Sequence, residues 1–542
     1  MTEFWPWIPV LTAAFIYLAW QRLLAYLRYF QQEGYESLRF LKWTNVRSLT
    51  DPAFWVAIAS AFLFLLDPLL AVVLFAVGAV VLGLVQPDPR SSGKITLKLT
   101  WRARRVLAVA VVLTFSAFAL LLRVYMDLEV RAPLVAASIL FALLPLALIL
   151  ANLILAPYER ATQRGYYGDA VFQLARVRPF VVGITGSYGK SSSKSMLAHI
   201  LQFHAPTLAA AGSINTVMGV TRHIREDLVP GHRFMVVEMG AYAVGSIKRL
   251  CALTPPAAGL VTAVGDMHLE RFGSTETIYR AKSELAQAIP AGGVLVCNAD
   301  SPNALRMAQA NTHCRVFLYG ESHSGDLDTR VESMRFTKEG THFVLRTKER
   351  SFTCFTPVLG RPIILNLAGA FTLAVAVGVD PEVAVASFRT LKPVSNRLEV
   401  VEDAGVTWIR DAYNSNQFGF RAALEVAADL PVTRRFLVTP GVIELGAEQH
   451  PVNRALSREA AAVCDMTVVV SETNRQAFIE GHREAGREER LVVVPNRTEA
   501  FRWLHEHLHD GDAVILENDL PDLYERTAGV FWPASAKKGK AS

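Results

Sequence analysis

The sequence predicts an α/β protein: N-terminal transmembrane helices, then a P-loop parallel-sheet domain and a smaller Rossmann-like C-terminal domain. Three observations carry this. Apolar residues make up 51% of the 542 residues, and their excess lies before residue 156. The stretch Val181–Lys194, VVGITGSYGKSSSK, reads as strand, glycine turn and helix start. From Arg178 onward, short apolar strands alternate with helical stretches, the pattern of a parallel sheet covered by helices.

Four apolar blocks come first, at about 4–27, 53–85, 106–122 and 133–155. The second, at roughly 50 Å if helical, exceeds a hydrocarbon core of about 30 Å. Asp67 and Pro68 interrupt it, so it reads as a hairpin of two short spans, giving about five in all. The segment after the first span carries Arg28, Arg39, Lys42 and Arg47, and the segment after the hairpin carries Arg90, Lys94, Lys98, Arg102, Arg104 and Arg105. Positive loops face the cytosol, which puts the N-terminus outside and everything after Leu155 in the cytoplasm of a multi-pass cell-membrane protein, with the bilayer as a partner. A cleaved signal peptide fits poorly, because the first residues carry Glu3 and no Lys or Arg.

Net charge is +6, with much of the basic surplus beside the apolar runs, so no nucleic-acid partner is expected. The five cysteines form no Cys-x-x-Cys pair, which argues for a reducing compartment and against a zinc site.

The glycine turn is where chemistry is expected. Gly186 and Gly189 let the backbone approach an anion, helix-start amides point at it, Lys190 supplies a mobile charge, and the Ser191 hydroxyl suits Mg²⁺; Ser187 and Ser192 complete the loop. The spacing fits Gly-x-x-Gly-Lys-Ser and reads as a phosphate-binding loop, which alone says only nucleoside triphosphate and leaves an ordinary strand-to-helix turn with a capping serine as the other reading. Glu238 closes a strand, as an acidic Mg²⁺ ligand near the loop would. His268 follows another strand, and Lys282 and Glu284 lie in a helix beginning near Ser274. Alone, a histidine after a strand is more often a loop or surface histidine than a ligand, and Lys282 would be a solvated helix lysine.

The pieces TGSYGKSSSK, GSINTVMGV from Gly212, VVEMGA, VTAVGDMHLERFGS, AKSELA from Ala281, NAD at Asn298, NRLEV from Asn396, RDAYNSN from Arg410 and IELG from Ile443 occur in one order. That ordered set resembles the muramyl (Mur) ligases, most closely their D-alanyl-D-alanine-adding branch. The resemblance implies ATP-dependent peptide-bond formation through an acyl phosphate, on a carboxylate acceptor from the cell envelope, with an amino acid or dipeptide as amine donor. It implies that Lys190 and the loop hold the ATP phosphates and that Ser191 and Glu238 hold one Mg²⁺. His268 becomes a ligand of a second Mg²⁺, and Lys282 a carbamylated lysine bridging to metal. Asn215 and Thr216 fall near the substrate carboxylate, although a turn-forming role for them is equally open. Asn366 falls on the adenine side, and Arg397, Asp411 and Asn414 reach the nucleotide from the C-terminal domain. The expected layout is a membrane section 1–155, an ATP-binding domain 156–395, a C-terminal domain 396–535 and a polar tail 536–542.

Departures bear on the substrates. Membrane spans occupy the place of the family's nucleotide-sugar-binding domain, which favours a membrane-linked acceptor. Pro362 stands for a histidine, Gln417 for a proline, and Glu517, Asn518 and Asp519 for a basic run. A synthase of a γ-linked polyglutamate capsule and a non-catalytic nucleotide-binding scaffold remain as alternative readings. The presence of both His268 and Lys282 favours an enzyme.

Overall fold

A computed structural model of the chain describes residues 8–47, 51–64, 66–85, 88–91, 96–128, 133–265, 272–337, 339–392, 398–412, 416–443 and 445–518. The chain divides into two compact units, Met1–Thr162 with Pro521–Ser542, and Gln163–Leu520.

The first unit is helical: α1 Ile8–Gln32, α2 Ser37–Arg47, α3 Pro52–Leu63, α4 Pro68–Val85, α5 Trp101–Leu128, α6 Pro133–Ala142 and α7 Leu144–Val177, the last running on into the second unit. The break expected at Asp67–Pro68 falls between α3 and α4. Pro68 opens α4, where its missing N–H costs nothing, and Asp67 Oδ1 accepts from Leu70 N at 3.0 Å. Asp51 caps α3 in the same way and pairs with Arg22 at 3.0 Å, both side chains being fully buried. Only Ile8–Gln32, Trp101–Val124 and Leu144–Val177 among the described residues are long and apolar enough to cross a membrane, while Pro52–Leu63 and Leu69–Val85 are short. The block expected as one span over 133–155 is instead α6 followed by the start of α7, a single helix that continues to Val177.

The second unit holds two sheets. The central one contains β1 Phe180–Thr185, β2 Thr207–Ala209, β3 Phe234–Glu238, β4 Ala258–Val261, β5 Val294–Asn298, β6 Arg315–Gly320, β7 Thr329–Thr337, β8 Gly340–Thr347 and β9 Ser351–Thr356. Their order is β2-β3-β1-β4-β5-β6-β7-β8-β9, parallel up to β7 and antiparallel beyond. Successive side chains of β1 serve opposite faces, as strand geometry requires: Val182 and Ile184 pack with Leu197, Ile200 and Phe371, whereas Val181 packs with Ile224, Leu250 and Leu285. Both faces are therefore buried, as a helix-covered parallel sheet demands. The antiparallel arm β7–β9 is an addition that the alternating pattern did not reveal.

The C-terminal sheet contains β10 Glu399–Asp403, β11 Val406–Asp411, β12 Arg435–Thr439, β13 Met466–Val470, β14 Leu491–Val494 and β15 Ala513–Glu517, in the order β10-β11-β15-β12-β13-β14. Among the described residues of this sheet, only the β10–β11 pair is antiparallel. In the central sheet the chain leaves β1 toward β2 and β3, then crosses to β4 on the other side of β1. That reversal opens a crevice at the carboxyl ends of β1, β3 and β4, the usual place for a ligand in an open α/β sheet.

Candidate active site

The glycine turn begins where β1 ends. A Cβ on Gly186 would run into Thr262 Oγ1, and one on Gly189 would come within 2.7 Å of Asn366 Nδ2. Gly189 also has φ 78°, a left-handed conformation that favours glycine. Both positions thus need glycine so that the loop can press against β4 and the helix Arg361–Ala376. The turn is pinned from the side. Ser187 N donates to Ala263 O at 2.7 Å, and Ser187 Oγ accepts from Gly265 N at 3.0 Å and donates to Gly265 O at 2.8 Å. Gly189 provides no side-chain cap to the helix Lys190–Gln202, so the first-turn amides are directed at whatever sits over the loop.

Two lysines converge on one carbonyl. Lys190 Nζ donates to Gly186 O at 2.8 Å and to Ser187 O at 3.2 Å, and Lys282 Nζ donates to Gly186 O at 2.8 Å. Lys282 is buried in the helix Thr275–Ala288. Desolvation, with the neighbouring Lys190 charge as a second cause, holds its amine well below the ordinary value of 10.5.

Beside them lies a hydroxyl–carboxylate pair. Glu238, buried at the end of β3, accepts from Ser191 Oγ at 2.7 Å and from Asn215 Nδ2 at 3.1 Å. Tyr242 OH donates to Asn215 Oδ1 at 3.1 Å, and Ser191 Oγ lies 3.0 Å from Ser213 Oγ. Hard oxygen donors of this kind suit Mg²⁺.

A cleft of about 470 Å³ continues from the loop toward the C-terminal sheet. Tyr188, Ser192 and Asn366 line one side, and Asp411, Asn416 and Phe418 the other. The rings of Tyr188 and Phe418 meet edge to face at 5.4 Å. Arg361 reaches Glu425 at 2.8 Å and also bonds Glu321. Asp300 shapes the far wall by accepting from Glu321 N at 2.6 Å, His323 N at 2.7 Å and Ser322 N at 2.9 Å.

Gly186, Ser187, Gly189, Lys190, Ser191, Glu238, Asn215 and Lys282 therefore gather at one sheet edge, and Ser192, Asn366 and Asp411 line the adjoining cleft. Thr216 plays a structural part, its side chain capping the helix Val217–Asp227 by accepting from Gly219 N at 3.2 Å. Asp411 Oδ1 accepts from Leu398 N at 3.2 Å. His268, Arg397 and Asn414 lie outside the described residues. Sequence reasoning did not single out Lys194, Tyr242, Arg361 or Phe418. Lys194 had a signal, standing one helical turn after Lys190, whereas nothing local marks the other three.

Family models match two stretches of the chain, "Mur ligase middle domain" over residues 184–374 and "Mur ligase, glutamate ligase domain" over residues 396–517. The UDP-N-acetylmuramoyl-tripeptide–D-alanyl-D-alanine ligase of Escherichia coli is 33% identical over 283 residues, which cover 52% of this chain and 62% of that enzyme. The enzyme of the same name from Mycobacterium bovis is 31% identical over 362 residues, covering 62% of this chain and 70% of that one. Among solved structures, MurF from Acinetobacter baumannii superposes with a TM-score of 0.60 at 25% identity, covering 68% of this chain and 80% of that one.

Proposed function

Because the chain belongs to the Mur ligase family of ATP-dependent ligases, we propose that it joins an amine to a carboxylate of a peptidoglycan precursor, with ATP as the activating substrate. The relatives are named for joining D-alanyl-D-alanine to UDP-N-acetylmuramoyl-tripeptide, and these are the first donor and acceptor to assign. Nothing in those names supports a lipid-linked acceptor, so that form is kept as a comparison in the test.

The observation that carries the reading is the edge where two lysine amines share the Gly186 carbonyl beside the Ser191–Glu238 pair. In this reading the loop amides and Lys190 bind the ATP phosphates, and Ser191 and Glu238 hold Mg²⁺. The metal, when bound, supplies neutralisation of phosphate charge. A carboxylate oxygen of the acceptor attacks the terminal phosphorus and ADP leaves. The amine nitrogen then attacks the acyl carbon, loses a proton and expels phosphate. Binding and alignment are what the side chains contribute, since the reaction needs no protein nucleophile.

The buried Lys282 amine is suited to carbamylation, because the neutral form is the one that adds CO₂, forming a carbamate and releasing a proton. The product replaces a cation with an anion next to the metal site. His268 is assigned to a second Mg²⁺, Asn366 to the adenine side, and Arg397, Asp411 and Asn414 to the nucleotide from across the cleft. Asn215 is assigned to the acceptor carboxylate; Thr216 fixes the turn beside it.

The helical unit is proposed as a membrane anchor in which Ile8–Gln32, Trp101–Val124 and Leu144–Val177 each cross once and the α3–α4 hairpin re-enters. Three crossings preserve the parity of five, leaving the N-terminus outside and the catalytic unit in the cytosol with ATP. The layout follows: a membrane section, an ATP-binding domain and a C-terminal domain that closes over it.

The test is phosphate release by the protein in lipid nanodiscs, with ATP, Mg²⁺, D-alanyl-D-alanine and either nucleotide-linked or lipid-linked muramyl tripeptide. Release that needs both acceptor and amine, and vanishes in Lys282→Ala, is the expected result. ATP hydrolysis indifferent to both substrates would overturn the reading.

A further inference from the structure

Lys194 sits in the helix Lys190–Gln202 with its side chain 2% exposed. Its ammonium is 4.0 Å from Glu238 Oε2, itself on a side chain 2% exposed, and it donates to Gly212 O. Gly212 begins the loop that brings Ser213 to Ser191 and Asn215 to Glu238. One buried cation therefore touches both the carboxylate and the segment that positions it. The closer hydrogen bond to Glu238 Oε2 comes from Ser191 at 2.7 Å, so Lys194 acts on the carboxylate mainly through charge.

We propose that Lys194 is a positioning residue that holds the place of the metal's charge: it neutralises buried Glu238 in the metal-free protein and opposes the divalent cation that replaces it. The inference rests on the reading of Ser191 and Glu238 as a Mg²⁺ site. A buried carboxylate without a countercharge is costly, and the Lys194 ammonium supplies one. A fixed ammonium beside a bound cation repels it, so the same residue weakens metal binding. The gain is a site that stays folded while empty and releases its metal after turnover. Lys190 and Lys282 donate instead to the Gly186 carbonyl.

The test is Mn²⁺ binding, with free ion counted by electron paramagnetic resonance at saturating ADP, together with the thermal midpoint of the metal-free protein. Lys194→Met and Lys194→Gln are compared with Lys194→Arg; the glutamine keeps a donor for Gly212 O and removes only the charge. Both neutral variants are expected to melt lower without metal and to bind Mn²⁺ about tenfold tighter, with arginine matching the wild type. A folded neutral variant that binds Mn²⁺ as the wild type does, or more weakly, overturns the proposal. Glu238→Gln separates the two readings. If it leaves Mn²⁺ binding unchanged, the metal-site assignment itself falls; if it abolishes binding while the Lys194 variants show no tightening, only the role of Lys194 falls.

Discussion

The two sheet edges that face the cleft are built differently. At the central edge, Lys190, Ser191, Lys194, Glu238 and Lys282 are tied to one another or to the loop through buried hydrogen bonds and charge contacts. At the C-terminal edge, Glu425 reaches Arg361 at 2.8 Å, and other polar side chains hold nearby backbone. Asp411 holds the Leu398 amide, and Asn416 caps the helix Gln417–Asp429 by accepting from Phe418 N and Gly419 N at 3.0 and 3.1 Å. Phe418 is more than half exposed. The contrast implies a division of labour in which one domain carries a preorganised charge geometry and the other covers and orients.

Substitutions can break or sharpen that contrast. The largest effect is expected at Lys190→Met and Lys282→Ala, each lowering turnover by about 10³-fold in a phosphate-release assay, because the proposed phosphate-binding cation and the proposed metal ligand would act directly on developing phosphate charge. Glu238→Gln should cost about 10²-fold and shift the Mg²⁺ requirement upward, seen in a metal titration. Phe418→Ala should raise KM for ATP by only about two- to tenfold, the size of one edge-to-face contact, with kcat little changed. Were Phe418→Ala as damaging as Lys190→Met, the two edges would be equal partners and the distinction would fail.

The smallest effect is one of stability, away from the cleft. Asp512 is buried, and burial would raise its pKa, but the Arg434 guanidinium at 2.6 Å and the His509 amide outweigh that and lower it from 3.8. A carboxyl lowered in the folded state stabilises above its unfolded value, and that contribution disappears as pH falls through the folded value. Asp512→Asn should therefore cost about 1–3 kcal/mol at neutral pH and flatten the acid limb of a denaturation series, with the difference from wild type vanishing at the lowest pH.

How much of this was legible in the sequence varies by region. Strands β3, β4, β5 and β11 to β15 and the helix Thr275–Ala288 follow from apolar runs and caps, since local patterning and tertiary burial agree there. The break at Asp67–Pro68 was legible for the same reason. The length of α7 was not, because hydropathy falls after Leu155 while the helix continues through a polar sequence. The arm β7–β9 escaped because Arg335, His342 and Arg346 interrupt its apolar pattern. In the site, glycine spacing disclosed the loop, but the partnership of Lys194 with Glu238 joins residues far apart in sequence and exists only in the fold. Thr216 shows the reverse case, a motif residue whose visible role is a helix cap.

The most direct measurement follows oxygen. With the acceptor carboxylate labelled with ¹⁸O, ligation through an acyl phosphate transfers one labelled oxygen to the phosphate released, readable by mass spectrometry. One ¹⁸O per phosphate, with the amide product formed in equal amount, is the result expected of a ligase whose central domain activates the carboxylate. Amide product accompanied by unlabelled phosphate would contradict it.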